Sequence, residues 1–146
     1  PCCGSGGMSN GEIDQDLTDT LQARMPLVGT LGIEFYAAAP ESIRARMAWA
    51  PERCTAAGIL HGGAIMALAD SLGGFLAFMN LPKGATATST IESKTNFFRA
   101  VREGYVFATA TPLHVGRSTI VIDTELTDDA GKRVARVTQT QAVLGG

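Results

Sequence analysis

A histidine, two glycines and a carboxylate share one short stretch, His61-Gly62-Gly63-Ala64-Ile65-Met66-Ala67-Leu68-Ala69-Asp70. The glycines allow the backbone to come close to another group. The apolar run behind them predicts a helix, whose first turn leaves N–H groups free and carries partial positive charge. Such an end holds a developing oxyanion. Asp70 is the only acid between Gly62 and Asn80, and an acid among apolar residues is costly unless it is paired or used. An amide that polarises a carbonyl and a carboxylate that activates water, or attacks directly, are together the parts of an acyl-transfer site.

The elements that must position these residues belong to one small domain. The chain has 146 residues, 45% of them apolar and 18% charged, as expected of one globular domain with a filled core. Its net charge of −2 gives no electrostatic case for nucleic acid. Pro1 to Gly7 reads as a leftover of cloning, with Met8 as the natural start and 8–146 as the single domain. Cys54 is then the one native thiol. It has no partner for a disulfide, which agrees with a reducing, cytoplasmic setting. Two histidines and one thiol give no metal-ligand spacing. The apolar stretch Ile59 to Leu81 is broken by His61, Asp70, Asn80 and four glycines. It therefore reads as a buried helix and not a membrane span.

Asp14 to Met25 predicts a short amphipathic helix ended or interrupted at Pro26. Leu31 to Ala38 predicts a strand, and Ser42 to Trp49 alternates Ile43, Ala45, Met47 and Trp49 against Arg44 and Arg46. Pro51 to Gly58 is a loop. The long helix runs from Gly62 to Asn80 and stops at Leu81-Pro82-Lys83-Gly84. Four strand-like segments follow: Thr86 to Phe98, Tyr105 to Val115, Ser118 to Leu126 and Lys132 to Val143. The last two are joined by the turn Asp129-Ala130-Gly131. One buried helix against an antiparallel sheet makes the class α+β. Gly73-Gly74 within the helix suggests close packing against a neighbour.

With the elements in this order, the chain resembles the hotdog fold, an antiparallel sheet wrapped around one long central helix. His61-Gly62-Gly63, Asp70 nine residues after the histidine, and Gly116-Arg117-Ser118 between two late strands resemble the PaaI-like branch of hotdog acyl-CoA thioesterases. The resemblance covers roughly Gly32 to Val143. It implies that the Gly62 amide polarises the thioester carbonyl and that Asp70 acts as general base or nucleophile. It implies that a hydroxyl on the strand after the helix, Thr90 with Ser89 adjacent, positions water or the acid. His61 would hold the turn, Gly63 would lie with it against the substrate, and the Gly116-Arg117-Ser118 turn would lie along coenzyme A. Six residues before the histidine, where relatives often carry Asn or Gln, this chain has Thr55. The family's assemblies are dimers and often tetramers made of two dimers, acting on acyl-CoA with no other cofactor. Two alternatives stay open at this point: a non-catalytic acyl-CoA-binding module, and an enoyl-CoA hydratase on the same fold.

The spacing adds an independent expectation. Gly62 and Asp70 are eight positions apart, so the helix separates them by about 12 Å. A base must come within about 3 Å of its reactants, or one water away. One copy's Gly62 and its own Asp70 therefore do not meet at one carbonyl, and a working site requires a second copy. Burial would raise the Asp70 pKa, and a partner's positive helix end would lower it.

Overall fold

The computed structural model describes residues 11–145; the expected cloning leftover and the start at Met8 lie outside the described residues. Asp14 begins helix α1 (Gln15–Arg24) by accepting the Leu17 N–H at 3.0 Å, a standard N-cap. Pro26 does more than end that helix. It occupies the first turn of a short second helix, α2 (Pro26–Thr30), where a missing N–H costs nothing. Strands β1 (Glu34–Ala39) and β2 (Ser42–Ala48) form a hairpin. Two short 3-10 turns follow, and then the long helix α3 (Gly62–Met79). Strands β3 (Ala87–Phe97), β4 (Tyr105–Val115), β5 (Thr119–Thr127) and β6 (Arg133–Leu144) complete the chain.

All six strands form one antiparallel sheet in the order β1-β2-β4-β5-β6-β3. The four late strands are not a simple meander. Both edges of β4 are occupied, by β2 and by β5, so β3 lies at the far edge against β6. Phe98 and Arg99 hook the chain over the start of β6 through bonds to the Val134 carbonyl.

Helix α3 lies across the sheet and touches every strand. Its buried side carries Ile65, Leu68, Ala69, Leu72, Gly73, Leu76 and Ala77. Opposite stand Ile43, Ala45 and Met47 of β2, Val106, Ala108 and Ala110 of β4, Ile120 and Ile122 of β5, and Val137 of β6. The small residues of β2 and β4 let the helix lie close. Each fully buried Leu or Ile contributes about 1.5–3 kcal/mol through burial. Tyr105, Phe107 and Thr109 take the outer face of β4. The helix is buried on one side only: Met66 and Phe78 are exposed on the other, with Asp70 between them. A sequence that reads as a fully buried helix thus folds as a half-buried one. The helix as a whole has the length and hydropathy of a membrane span, but its inner face is committed to the sheet.

Candidate active site

The turn before α3 decides which amide is left free. His61 is extended (φ −64°, ψ 131°) and caps the helix. Its Nδ1 accepts the Gly63 N–H at 2.7 Å. Its carbonyl accepts the N–H groups of Ala64 and Ile65 at 2.9 and 3.1 Å. Gly62 is the first helical residue, and its N–H has no acceptor among the described residues. So the one unused donor of this first turn is the amide expected to hold an oxyanion. The cap also fixes the histidine's state: Nδ1 accepts, so any ring proton is on Nε2. A Cβ at Gly63 would lie 2.8 Å from that Nδ1, so only glycine leaves room for the ring. A Cβ at Gly62 would meet Phe97 Cζ at 3.2 Å.

The loop that presents the turn is bonded at several points. His61 N donates to Arg53 O at 2.9 Å, Thr55 N to Ile59 O at 2.8 Å and Leu60 N to Val101 O at 2.8 Å. Thr55 is exposed, and it lines a cleft of about 320 Å³ together with Gly62, Phe97 and Phe98. His61 and Gly63 line a neighbouring cleft of about 340 Å³ with Leu27, Leu31 and Arg53.

Asp70 lies two turns along the exposed side of α3. No hydrogen-bond or ion-pair partner reaches it among the described residues. Desolvation by its neighbours raises its carboxyl above the ordinary carboxylate pKa, because burial penalises the charged form. One turn further on, Gly74 opens onto a cleft of about 250 Å³ lined by Leu21, Arg24, Met25, Phe75 and Phe78. Of the two helix glycines only Gly73 is a packing residue. A Cβ there would overlap the side-chain amide of Gln139, whereas one on Gly74 would meet nothing.

Thr90 belongs to the face of β3 that looks toward α3. Its Oγ1 accepts from Gln141 Nε2 at 2.6 Å. The same nitrogen donates to Gln139 Oε1 at 2.6 Å, and Gln139 Nε2 donates to Ala69 O at 3.1 Å. Both glutamines are buried. The alternation of the sequence pattern could have pointed to them, since Val137, Gln139 and Gln141 share one face of a strand whose Val137 is core. A neutral amide at such a position marks a required polar contact. Strand alternation puts Ser89 on the face away from the helix.

The Gly116-Arg117-Ser118 turn lies at the other end of the sheet. Ser118 O accepts from Val143 N at 2.9 Å, and Val143 pairs with Thr88 at the start of β3. Gly116 is close-packed by His114. Gly62, by contrast, touches Phe97, the last residue of β3. From Thr90 to Phe97 an extended strand runs about 23 Å. The structure therefore sorts the expected residues into two groups. Asp70, Thr90 and the Gly116-Arg117-Ser118 turn lie toward one end, and Thr55, His61, Gly62 and Gly63 lie at the other. No group of three His, Cys, Asp or Glu among the described residues is placed to hold a metal ion.

Comparison with known proteins agrees with the fold and the family resemblance. A model of the thioesterase superfamily matches residues 57–135. The proofreading thioesterase EntH of Cronobacter turicensis is 32% identical over 119 residues, covering 82% of this chain and 86% of that protein. The crystal structure of a mutant of thioesterase PA1618 from Pseudomonas aeruginosa superimposes with a TM-score of 0.81 at 33% identity, covering 88% of this chain and 94% of that one. Thioesterase HI1161 from Haemophilus influenzae does so with a TM-score of 0.76 at 31% identity, covering 82% of each chain.

Proposed function

The chain belongs to the thioesterase superfamily and is a hotdog-fold thioester hydrolase, and we propose that it cuts a small or medium acyl-CoA at a site shared by two copies of itself. The observation that carries this reading is a free Gly62 N–H and an unpaired Asp70 on one straight helix, about 12 Å apart. Each is half of a site, and a two-fold axis brings one copy's half to the other's.

The surface supports this arrangement. Strand β3 is eleven residues long and pairs on one side only. A long bare edge of this kind is a template for another strand. Ile91 and Phe97 of this strand and Phe98 just after it are exposed, as are Met66 and Phe78 on the outer side of α3, apolar surface of the kind that marks an interaction site. A second copy adding its own β3 would continue the sheet and cover these residues. It would carry its Gly62 end toward the Asp70 of the first. Two such dimers would make the tetramer common in the family.

The reaction follows from the groups present. The thioester oxygen takes the Gly62 N–H and the positive end of α3, which stabilise charge developing on it. Asp70 of the other copy takes a proton from water as that water attacks, or attacks the carbonyl itself. The carbon–sulfur bond breaks and coenzyme A leaves as a thiol. The thioester is already activated, so a carboxylate suffices without a serine nucleophile. The apolar cleft beyond Gly74 suits the acyl tail, with Thr55 beside the carbonyl. The Gly116-Arg117-Ser118 turn suits the pantetheine and phosphates. Coenzyme A is part of the substrate, and no other cofactor is needed. The free Cys54 thiol agrees with a cytoplasmic setting.

The test is release of free thiol from a panel of aryl and straight-chain acyl-CoAs, with Asp70→Asn run alongside. Thiol release by the parent and not by the variant supports the reading. Equal release by both contradicts the role of Asp70, and binding of the panel without release contradicts acyl-CoA as substrate.

A further inference from the structure

Two buried glutamines link the helix backbone next to Asp70 to the hydroxyl of Thr90, and the direction of every bond in that link is fixed from one end. Ala69 O is a backbone carbonyl and can only accept. Gln139 must therefore turn its Nε2 toward it, at 3.1 Å, which leaves Gln139 Oε1 facing the other way. That oxygen in turn requires the nitrogen of Gln141, at 2.6 Å. The second hydrogen of the same nitrogen reaches Thr90 Oγ1, also at 2.6 Å. Thr90 Oγ1 is thus an acceptor within the link, and its own hydrogen is left to donate outward.

The link is built in at both ends. Gln139 and Gln141 are 0% and 1% exposed, and buried amides are retained only where their bonds are made. Gly73 lies one turn beyond Ala69 on the same buried side, and any side chain there would overlap the Gln139 amide. The helix has given up a Cβ so that a sheet glutamine can reach its backbone. Thr90 itself is exposed, on the helix-facing side of the bare edge strand.

We infer that Gln139 and Gln141 are positioning residues that hold Thr90 as a hydrogen-bond donor to the water activated by Asp70. The inference rests on the hydrolase reading of Asp70. In the attack step the water forms its bond to the thioester carbon with one lone pair and gives a proton to the Asp70 carboxylate. Its other lone pair accepts from Thr90, which fixes its orientation. The electrons of the carbon–sulfur bond leave with coenzyme A, which takes the proton back from Asp70.

The test is steady-state kinetics of the full chain on its best acyl-CoA, with Gln141→Met, Thr90→Val, Thr90→Ser and the double variant Gln141→Met/Thr90→Val. Gln141→Met and Thr90→Val are each expected to lower kcat about tenfold, equivalent to about 1.4 kcal/mol, with KM unchanged. The double variant should fall no further than either single one, and Thr90→Ser should stay within about twofold. Unchanged kcat in Thr90→Val, losses that multiply, or a serine variant as poor as valine would each overturn the inference. If Gln141→Met does not fold, the valine and serine pair at exposed Thr90 still decides it. Activity in the parent with no effect in the variants overturns the positioning role alone. A parent that releases no thiol overturns the hydrolase reading as well.

Discussion

Replacing Gly62 by proline would remove the N–H donor from the proposed site and put a ring carbon in its place. The deleted N–H makes no bond within the chain. Gly62 is the first residue of α3, the helix position where proline is favoured. The residue before a proline must be extended, and His61 already is, at φ −64° and ψ 131°. The added Cβ would meet Phe97, whose Cζ lies 3.2 Å away. That ring is 48% exposed in the single chain, and a few tenths of an ångström of movement would relieve the contact. Folding should therefore change by less than about 1 kcal/mol. Turnover should not be spared: loss of one oxyanion donor lowers kcat by about 10²–10³, or about 2.7–4 kcal/mol. Gly62→Ala is the control, since it adds the same Cβ and keeps the N–H. Thiol release at saturating acyl-CoA, with a thermal melt of each variant, reads both quantities. Equal kcat for the proline and alanine variants would refute the assignment of the Gly62 amide.

Asp70→Asn should cost about 10²–10⁴ in turnover and yet stabilise the fold at neutral pH. Desolvation raises the Asp70 pKa in the folded chain, so folding favours the protonated carboxyl, and that contribution is lost as pH rises through the folded pKa. Urea midpoints of parent and variant should differ at pH 7 and converge below about pH 3.5, under the ordinary aspartate pKa; a constant difference would count against it. His61→Ala should lose about 0.5–2 kcal/mol of stability with the N-cap, and His61→Asn should keep most of it; equal melts would show that the cap contributes nothing. Ile91→Lys, at a residue 61% exposed on the bare edge strand, should shift the sedimenting species toward monomer and reduce turnover in proportion.

Much of this architecture is legible in local sequence. The break from glycine turn to apolar run marks α3, and alternation marks β2 and β4. The acid at Asp70 stands out because nothing charged surrounds it on that helix. What is not legible depends on long-range pairing. The edge position of β3 follows from β4 having both sides filled, which no local pattern encodes. The exposure of the Met66, Asp70 and Phe78 side of α3 is hidden because an apolar helix surface reads like a core whether or not the sheet covers it. Pro26 punctuates the chain from either direction, so a helix end and a helix start look alike. Alternation puts Gln139 and Gln141 on the core face with Val137, but the helix carbonyl and the hydroxyl that they join come from distant parts of the chain. Gly73 and Gly74 look identical in sequence, and only the neighbouring glutamine separates them.

The proposed site takes Gly62 from one copy and Asp70 from the other. Mixing Gly62→Pro with Asp70→Asn under conditions of subunit exchange tests it directly. Each homodimer lacks one half of both its sites. A hybrid dimer holds one site with both halves intact and one with neither. Random exchange at equal amounts should therefore restore about a quarter of parent activity from two nearly inactive preparations. Activity of the exchanged mixture no higher than that of the two variants alone would contradict the shared site.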